Sequence, residues 1–340
     1  AVSLVGIVLL LEATRRALGL PMVIVAIVFL GYTFGGPYMP DMIAHKGASL
    51  SRVVSHQWLT TEGVFGVALG VSSGFIFLFV LFGSLLDRAG AGNYFIKSAF
   101  ALLGHMRGGP AKAAVVSSAA TGIISGSSIA NVVTTGTFTI PLMKRVGYRP
   151  DQAGAVEVSS SVNGQIMPPV MGAAAFLMVE YVGITYVEVM KHAVLPAIIS
   201  YIALFYIVHL EALKAGLQGL PRRSQATAGQ RLLALAMNAS GFVVLAGAVY
   251  YGIGWVKTLL PDAAVWIIGA GLLGAYVALM RVASRQPELT LDDPNAPVFE
   301  LPETQPTLLS GLHYLLSVVV LIWCLMVEQM SPALSAFWAT

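Results

Sequence analysis

The chain has 340 residues, of which 57% are hydrophobic and 10% charged, with a formal net charge of +3. A soluble domain carries about 25% charged residues, so this composition excludes an ordinary water-soluble fold and points to an all-α polytopic membrane protein. The single cysteine, Cys324, sits in an apolar run and excludes a disulfide framework. The slight basic excess belongs to orienting loops rather than to a nucleic-acid surface.

Residues 1–11 are apolar but too short to span a membrane before Glu12, Arg15 and Arg16, and the chain stops soon after another apolar run. It is therefore expected to be an internal piece of a longer protein. A spanning helix needs about 20 apolar residues. Segments 18–36, 64–86, 185–210, 232–254, 263–280 and 308–327 meet that length. Segment 93–107, with Lys97, His105 and Arg107 among large apolar residues, is expected to lie as an interfacial amphipathic helix. Segments 109–143 and 151–182 are apolar enough for lipid but are interrupted by Gly, Ser, Thr, Asn and Pro. Segment 284–307 is acidic and proline-rich, and reads as a cytoplasmic loop.

Basic residues gather on the cytoplasmic side of membrane proteins. If 64–86 runs inward, that side collects all of the 19 Lys and Arg except Lys46, Arg52, Lys191 and Lys257. The assignment holds only if 109–143 enters and leaves from one side, as a re-entrant hairpin. A single crossing would separate the basic clusters at 107–112 and 144–149.

Within lipid every peptide group needs a partner, so a break in a helix is tolerated only where protein or a polar cavity shelters it. The hairpin is expected to turn at Gly122–Thr137. There Gly126 permits a sharp turn, and Ser127 and Ser128 suit the N-cap of the returning arm. Two helix ends would then meet inside the membrane, one offering carbonyls to a cation, the other N–H groups to an anion. A second break is expected within Val158–Gly172, where three serines, Asn163, Gly164, Pro168 and Pro169 interrupt the apolar pattern. Ser, Thr and Gly also gather at plain helix contacts. Two such clusters joined by a short basic loop favour a paired binding site. Hard cations such as Na+ take carbonyl and hydroxyl oxygens of this kind.

Glu157 has two readings, lining a pathway or reaching the cytoplasmic interface. Glu180 is expected to reach water, and Glu188, Lys191 and His192 to form a surface ion pair. Trp58, Trp255 and Trp323 read as interface anchors or packing residues. Asn238 heads an incidental glycosylation triplet. GIISG at 122–126 is no nucleophile elbow, and HExxH, P-loop and dinucleotide patterns do not occur. An enzyme is not expected.

The stretch GGPAKAAVVSSAATGIISGSSIANVVTTGTFTIPLMKRVGY, followed by VNGQIMPPVMGAAAFLM, resembles the large membrane subunit of tripartite ATP-independent periplasmic (TRAP) transporters. The variant is similar to the fused permease that works with TAXI-type binding proteins. The resemblance is dense over 64–221 and returns at 308–340. It implies half of an inverted-repeat elevator-type transporter, with a re-entrant hairpin at 109–143 and a discontinuous helix at 151–182. Residues 1–57 would end a fused small subunit and scaffold, and 58–221 would form the first transport repeat. Residues 222–307 would be an inserted two-helix segment with its acidic loop, and 308–340 the start of a second repeat. By position, Ser127, Ser128, Asn131, Thr134 and Pro168 would face the substrate. Ser125, Gly126, Ser160, Asn163 and Gly164 would hold the cation, and Ser160, Ser161, Asn163, Gly164 and Pro168 would be unwound. Segment 93–107 would be the arm helix between moving and static parts.

The implied function is import of a small organic anion, delivered by a periplasmic substrate-binding protein and coupled to Na+, across the bacterial cytoplasmic membrane. No organic cofactor is implied. The implied partners are that binding protein, the lipid bilayer and the second half of the permease. The alternatives are an elevator carrier without a binding protein, and a channel.

Overall fold

Long apolar runs become helices in lipid because a helix satisfies its own peptide groups. In the computed structural model the described residues are 2–220, 240, 244, 247–286 and 301–340, and every regular element among them is helical. They divide into two units, Ala1–Phe77 with Phe176–Ile184, and Leu78–Ala175 with Thr185–Thr340.

In the first unit α1 (Val2–Leu18) and α2 (Leu20–Gly35) meet at Gly19, whose φ of 85° lies in the left-handed region open to glycine. Trp58, on α3 (Leu50–Leu59), lies against α1 at Gly6, where a Cβ would come within 2.3 Å of the indole. It also meets Phe65 edge-on, with 5.2 Å between ring centroids. Trp58 is thus a packing residue. Helix α4 (Val67–Ala89) begins in this unit and ends in the second, with one π turn at Ser72–Ile76.

The second unit continues with α5 (Ala91–Leu103), α6 (Gly109–Ser125), α7 (Ser128–Arg145) and α8 (Pro150–Asn163). Helix α9 (Ala173–Val182) leads back to the first unit, and α10 (Tyr186–Lys214) begins the long helices that follow. After helical residues 247–259 come α11 (Ala264–Ala283), α12 (Thr304–Ser310), α13 (Leu312–Met326) and α14 (Pro332–Ala339). Small buried residues, Ala111, Ala114, Ala153 and Ala212, let α6, α8 and α10 approach closely around Met143 of α7.

Among the described residues, Leu20–Tyr38, Val67–Ala89, Tyr186–Lys214 and Ala264–Ala283 are long and apolar enough to cross a membrane. They coincide with four of the expected spans. The segment expected to span at 308–327 lies in a bent pair, α12 and α13, which meet at 54° and together are long and apolar enough for a broken span or a re-entrant segment. The bend falls at Gly311, where the Tyr94 ring occupies the place of a side chain: a Cβ there would lie 2.1 Å from it. The Tyr94 hydroxyl also donates to the Leu308 carbonyl at 3.1 Å. The expected span at 232–254, the centre of the acidic loop and Asn238 lie largely or wholly outside the described residues.

Segment 93–107 is helical over Ala91–Leu103 and is packed into the bundle. In α5, Tyr94, Phe95, Ile96, Ala99 and Phe100 are all buried, and α6 and α12 pack against it. Asn93 and Lys97, four residues apart on one face, are the partly exposed polar residues of the helix. Glu180 is exposed as expected. Glu188 interacts with Lys191 and His192 at a distance only, with no basic nitrogen within 4.0 Å among the described residues, while its carboxylate accepts from the Thr185 N–H at 2.9 Å and the Thr185 hydroxyl at 3.1 Å, closing a capping box on α10. The Trp323 indole N–H donates to Glu328 at 3.0 Å, and Trp255 is exposed.

Candidate functional site: a hairpin tip against a helix break

Gly126 ends α6 with φ 58°, and its N–H returns to the Gly122 carbonyl at 3.2 Å. One residue later Ser127 caps α7, its hydroxyl oxygen accepting from the Ala130 N–H at 3.3 Å. The Ser125 hydroxyl accepts from the Ser127 N–H at 3.3 Å and so stiffens the turn. Two residues therefore reverse the chain, and 109–145 is the helical hairpin that the charge count required. Buried Asn131 ties the arms together, its amide donating to the Ser118 carbonyl at 2.9 Å.

The second break starts later than expected. Helix α8 runs unbroken through the three serines to Asn163, so Ser160, Ser161 and Asn163 are helical rather than unwound. Proline's ring clashes with the carbonyl four residues back. For Pro168 that residue is Gly164, so the helix is free to reach Asn163. A 3-10 turn at Gly164–Ile166 follows, then irregular backbone to Gly172. Ser160 is engaged within the bundle, although its oxygens keep lone pairs. Its hydroxyl donates to its own helix at the Val156 carbonyl, 2.6 Å away, and its carbonyl accepts from the Tyr201 hydroxyl at 3.0 Å.

The two breaks meet. A Cβ on Gly122 would lie 2.7 Å from the Gly164 Cα, and one on Gly126 would lie 2.4 Å from the Met171 carbonyl oxygen and 2.7 Å from that of Val170. The Gln165 amide donates to the Ser128 hydroxyl at 2.7 Å. Behind the irregular segment the Tyr186 hydroxyl donates to the Pro169 carbonyl at 2.5 Å. Ser125, Gly126, Ser127, Ser128 and Gly164 thus come together, with Pro168 in the adjoining loop. Asn131 lies beside Gly164, where a Cβ would be 3.0 Å from the Asn131 amide nitrogen, whereas Thr134 turns away from the tip. Asn131 also makes the contact between arms, and the Thr134 hydroxyl points to Asp87 on α4 at 3.4 Å. Seven residues separate Ser127 from Thr134, two helical turns that carry the threonine away from the tip.

Chemically, the tip sets the carbonyl end of α6 and the N–H end of α7 beside the peptide groups of the irregular segment. Fixed dipoles of both signs therefore sit together without a formal charge. Among the described residues no three His, Cys, Asp or Glu side chains cluster to hold a transition metal.

Sequence reasoning missed Gln165, Tyr186, and Thr135 and Thr139 as the partners of Glu157 in a set with Ser161. A signal for that set was present. Asn131, Thr135 and Thr139 repeat every four residues, as do Glu157 and Ser161, so each row lies on one helix face. Glu157 does not reach the interface: it is fully buried between helices.

Replacing Tyr186 by phenylalanine leaves the Pro169 carbonyl without that donor. The expected loss is about 1–3 kcal/mol of stability, read as a lower melting temperature of the purified protein. An unchanged melting temperature would show that the bond does not support the break.

Comparison with known sequences gives relatives several of which are named as TRAP transporter large permeases. The chain is 28% identical over 181 residues to the ectoine TRAP transporter large permease protein TeaC of Halomonas elongata, covering 52% of this chain and 41% of the relative. It is 29% identical over 208 residues to the C4-dicarboxylate TRAP transporter large permease protein DctM of Pseudomonas aeruginosa, covering 59% and 45%. To the sialic acid TRAP transporter large permease protein SiaM of Vibrio cholerae it is 25% identical over 174 residues, covering 51% and 40%. The matched region therefore spans less than half the length of these relatives. The profile of the family described as "Tripartite ATP-independent periplasmic transporter, DctM component" matches residues 5–340, and with the hairpin and break in place the chain belongs to that family of membrane permeases.

Proposed function

We propose that the chain forms part of a Na+-coupled secondary transporter that imports a small organic anion handed over by a periplasmic substrate-binding protein. The observation that carries this reading is the contact of the hairpin tip with the helix break, where Gly126 lies on the Val170 and Met171 carbonyls. Carbonyls at the end of α6 and in the irregular segment would hold Na+, and the N–H end of α7 at Ser127 and Ser128 would receive the anion. Binding both ions together lowers the charge carried across the bilayer, whose core penalises an uncompensated charge. Relatives named for ectoine, C4-dicarboxylates and sialic acid all point to carboxylate-bearing substrates.

The test is uptake by a full-length permease carrying this chain, reconstituted in proteoliposomes, with the Na+ gradient and the binding protein each supplied or withheld. Uptake should collapse when either is removed. Uptake indifferent to Na+ would overturn the coupling, and uptake indifferent to the binding protein would make the protein a self-sufficient carrier. Currents far above carrier turnover would make it a channel.

A further inference from the structure

The transport reading leaves Glu157 unused. Its side chain is fully buried on α8, and among the described residues it has no lysine, arginine or histidine nitrogen within 4.0 Å. Its carboxyl meets hydroxyls instead. Thr135 Oγ1 bonds Oε1, Thr139 Oγ1 lies 2.5 Å from Oε2, and Ser161 Oγ lies 3.3 Å from Oε1. All three are themselves buried. Gly136 admits the carboxyl to α7: a Cβ there would lie 3.1 Å from the Glu157 Cγ.

A hydroxyl has one hydrogen, free to turn about its C–O bond, and lone pairs that accept. Each hydroxyl here has a second partner. Thr135 Oγ1 is 2.8 Å from the Asn131 carbonyl, Thr139 Oγ1 is 3.0 Å from the Thr135 carbonyl, and Ser161 Oγ is 3.2 Å from Ser118 Oγ. With the carboxylate ionised, the three hydroxyls turn inward and donate. With it protonated, the carboxyl O–H donates to Thr139 Oγ1, and the Thr139 hydrogen turns to the Thr135 carbonyl. Both forms satisfy every partner without moving a heavy atom. A buried carboxylate with no cation beside it is the costlier of the two, so this packing favours the neutral one.

No other charged group faces the carboxyl from the helices packed on α8. On α6, Lys112 is turned to His209 of α10, Nζ to Nδ1 3.1 Å, and to the Phe205 ring. Lys144 and Arg145 of α7 are exposed at its far end. On α10, Tyr201 bonds the Ser160 carbonyl and Glu211 accepts from Gln152 at 3.3 Å. One row of polar groups does leave the cluster. Ser118, Thr121 and Ser125 lie at i, i+3 and i+7 on α6, leading from Ser161 toward the hairpin tip, and the buried Thr121 hydroxyl has no hydrogen-bond partner among the described residues.

We propose that Glu157, with Thr135, Thr139 and Ser161, is a proton-binding site of the transport cycle, linked along α6 to the hairpin tip. The step is the gain of one proton by the carboxylate to give the carboxylic acid, and its later return to water. It deepens the transport reading by adding a proton to the ions that the bundle handles, while the existence of the bound proton does not depend on that reading.

Infrared difference spectroscopy on the reconstituted full-length protein tests occupancy. At neutral pH the wild type should show the carbonyl stretch of a protonated carboxyl that is absent from Glu157→Gln. Thr139→Val should shift that band to higher frequency by removing the acceptor of its O–H. Uptake at a fixed Na+ gradient tests use. In the wild type it should fall on the alkaline side with a slope approaching about tenfold per pH unit, that of one linked proton, and in Glu157→Gln that fall should be absent. A missing band in the wild type overturns the site even if uptake proceeds. A band present with identical wild-type and Glu157→Gln pH profiles overturns its role in transport. If Glu157→Gln does not fold, the band in the wild type and its response to Thr139→Val decide the question.

Discussion

Alanine at Gly126 should abolish uptake and lower stability. Two costs coincide there. The φ of 58° is a left-handed conformation that an L side chain resists, and a Cβ would lie 2.4 Å from the Met171 carbonyl oxygen, a backbone atom unable to swing aside. Together they amount to roughly 2–5 kcal/mol. Relief would require the tip to lift from the break, separating the two sets of dipoles on which binding depends. Gly154→Ala in α8 is the control: nothing lies within 4 Å of its Cβ position. That change should stabilise the helix by about 0.5–1 kcal/mol and leave uptake intact. Melting curves and proteoliposome uptake of the two variants read the contrast. A Gly126→Ala protein matching the wild type in both would show that the tip does not need its close approach.

The second large effect is expected at Asn131. Its amide is the buried donor that joins the hairpin arms through the Ser118 carbonyl. Asn131→Ala should cost about 1–3 kcal/mol by losing that bond and leaving a gap. Asn131→Asp should be worse at neutral pH although its shape is the same. A carboxylate only accepts hydrogen bonds, so it would oppose the carbonyl and place an unpaired charge in the bundle. The two variants therefore respond differently to acid. Protonation restores a donor to the aspartic acid, so Asn131→Asp should regain stability as pH falls while Asn131→Ala does not. Melting temperatures across a pH series check this, and an aspartate variant that ranks above alanine at neutral pH would mean that the amide does not hold the arms.

Much of the hairpin was legible in the sequence because two local constraints agreed on it. Glycine followed by two serines is turn and cap chemistry, and the division of basic residues required a reversal between 107 and 149. The start of the second break was misplaced because Ser160 and Ser161 look polar on paper yet bond to their own helix or to neighbours once packed, as Ser160 does with Val156. Proline was the better guide, since its steric reach of four residues marks Gly164. Likewise 93–107 carries charges that suggested an interface, but burial of Ile96 and Phe100 depends on α6 and α12, which no local pattern displays.

What the amino-acid order determined by itself was helix, apolar length and the positions of the turns, because each follows from interactions among residues a few places apart. The tertiary structure decided which oxygens remain available and which are already committed. It set Gly126 on the Val170 and Met171 carbonyls, turned Thr134 toward Asp87, and enclosed Glu157 among hydroxyls from another helix. The reason is geometric: a hydrogen bond or a close backbone approach needs two atoms within a few ångströms, and the partners of Gly126 and Glu157 lie far away along the chain.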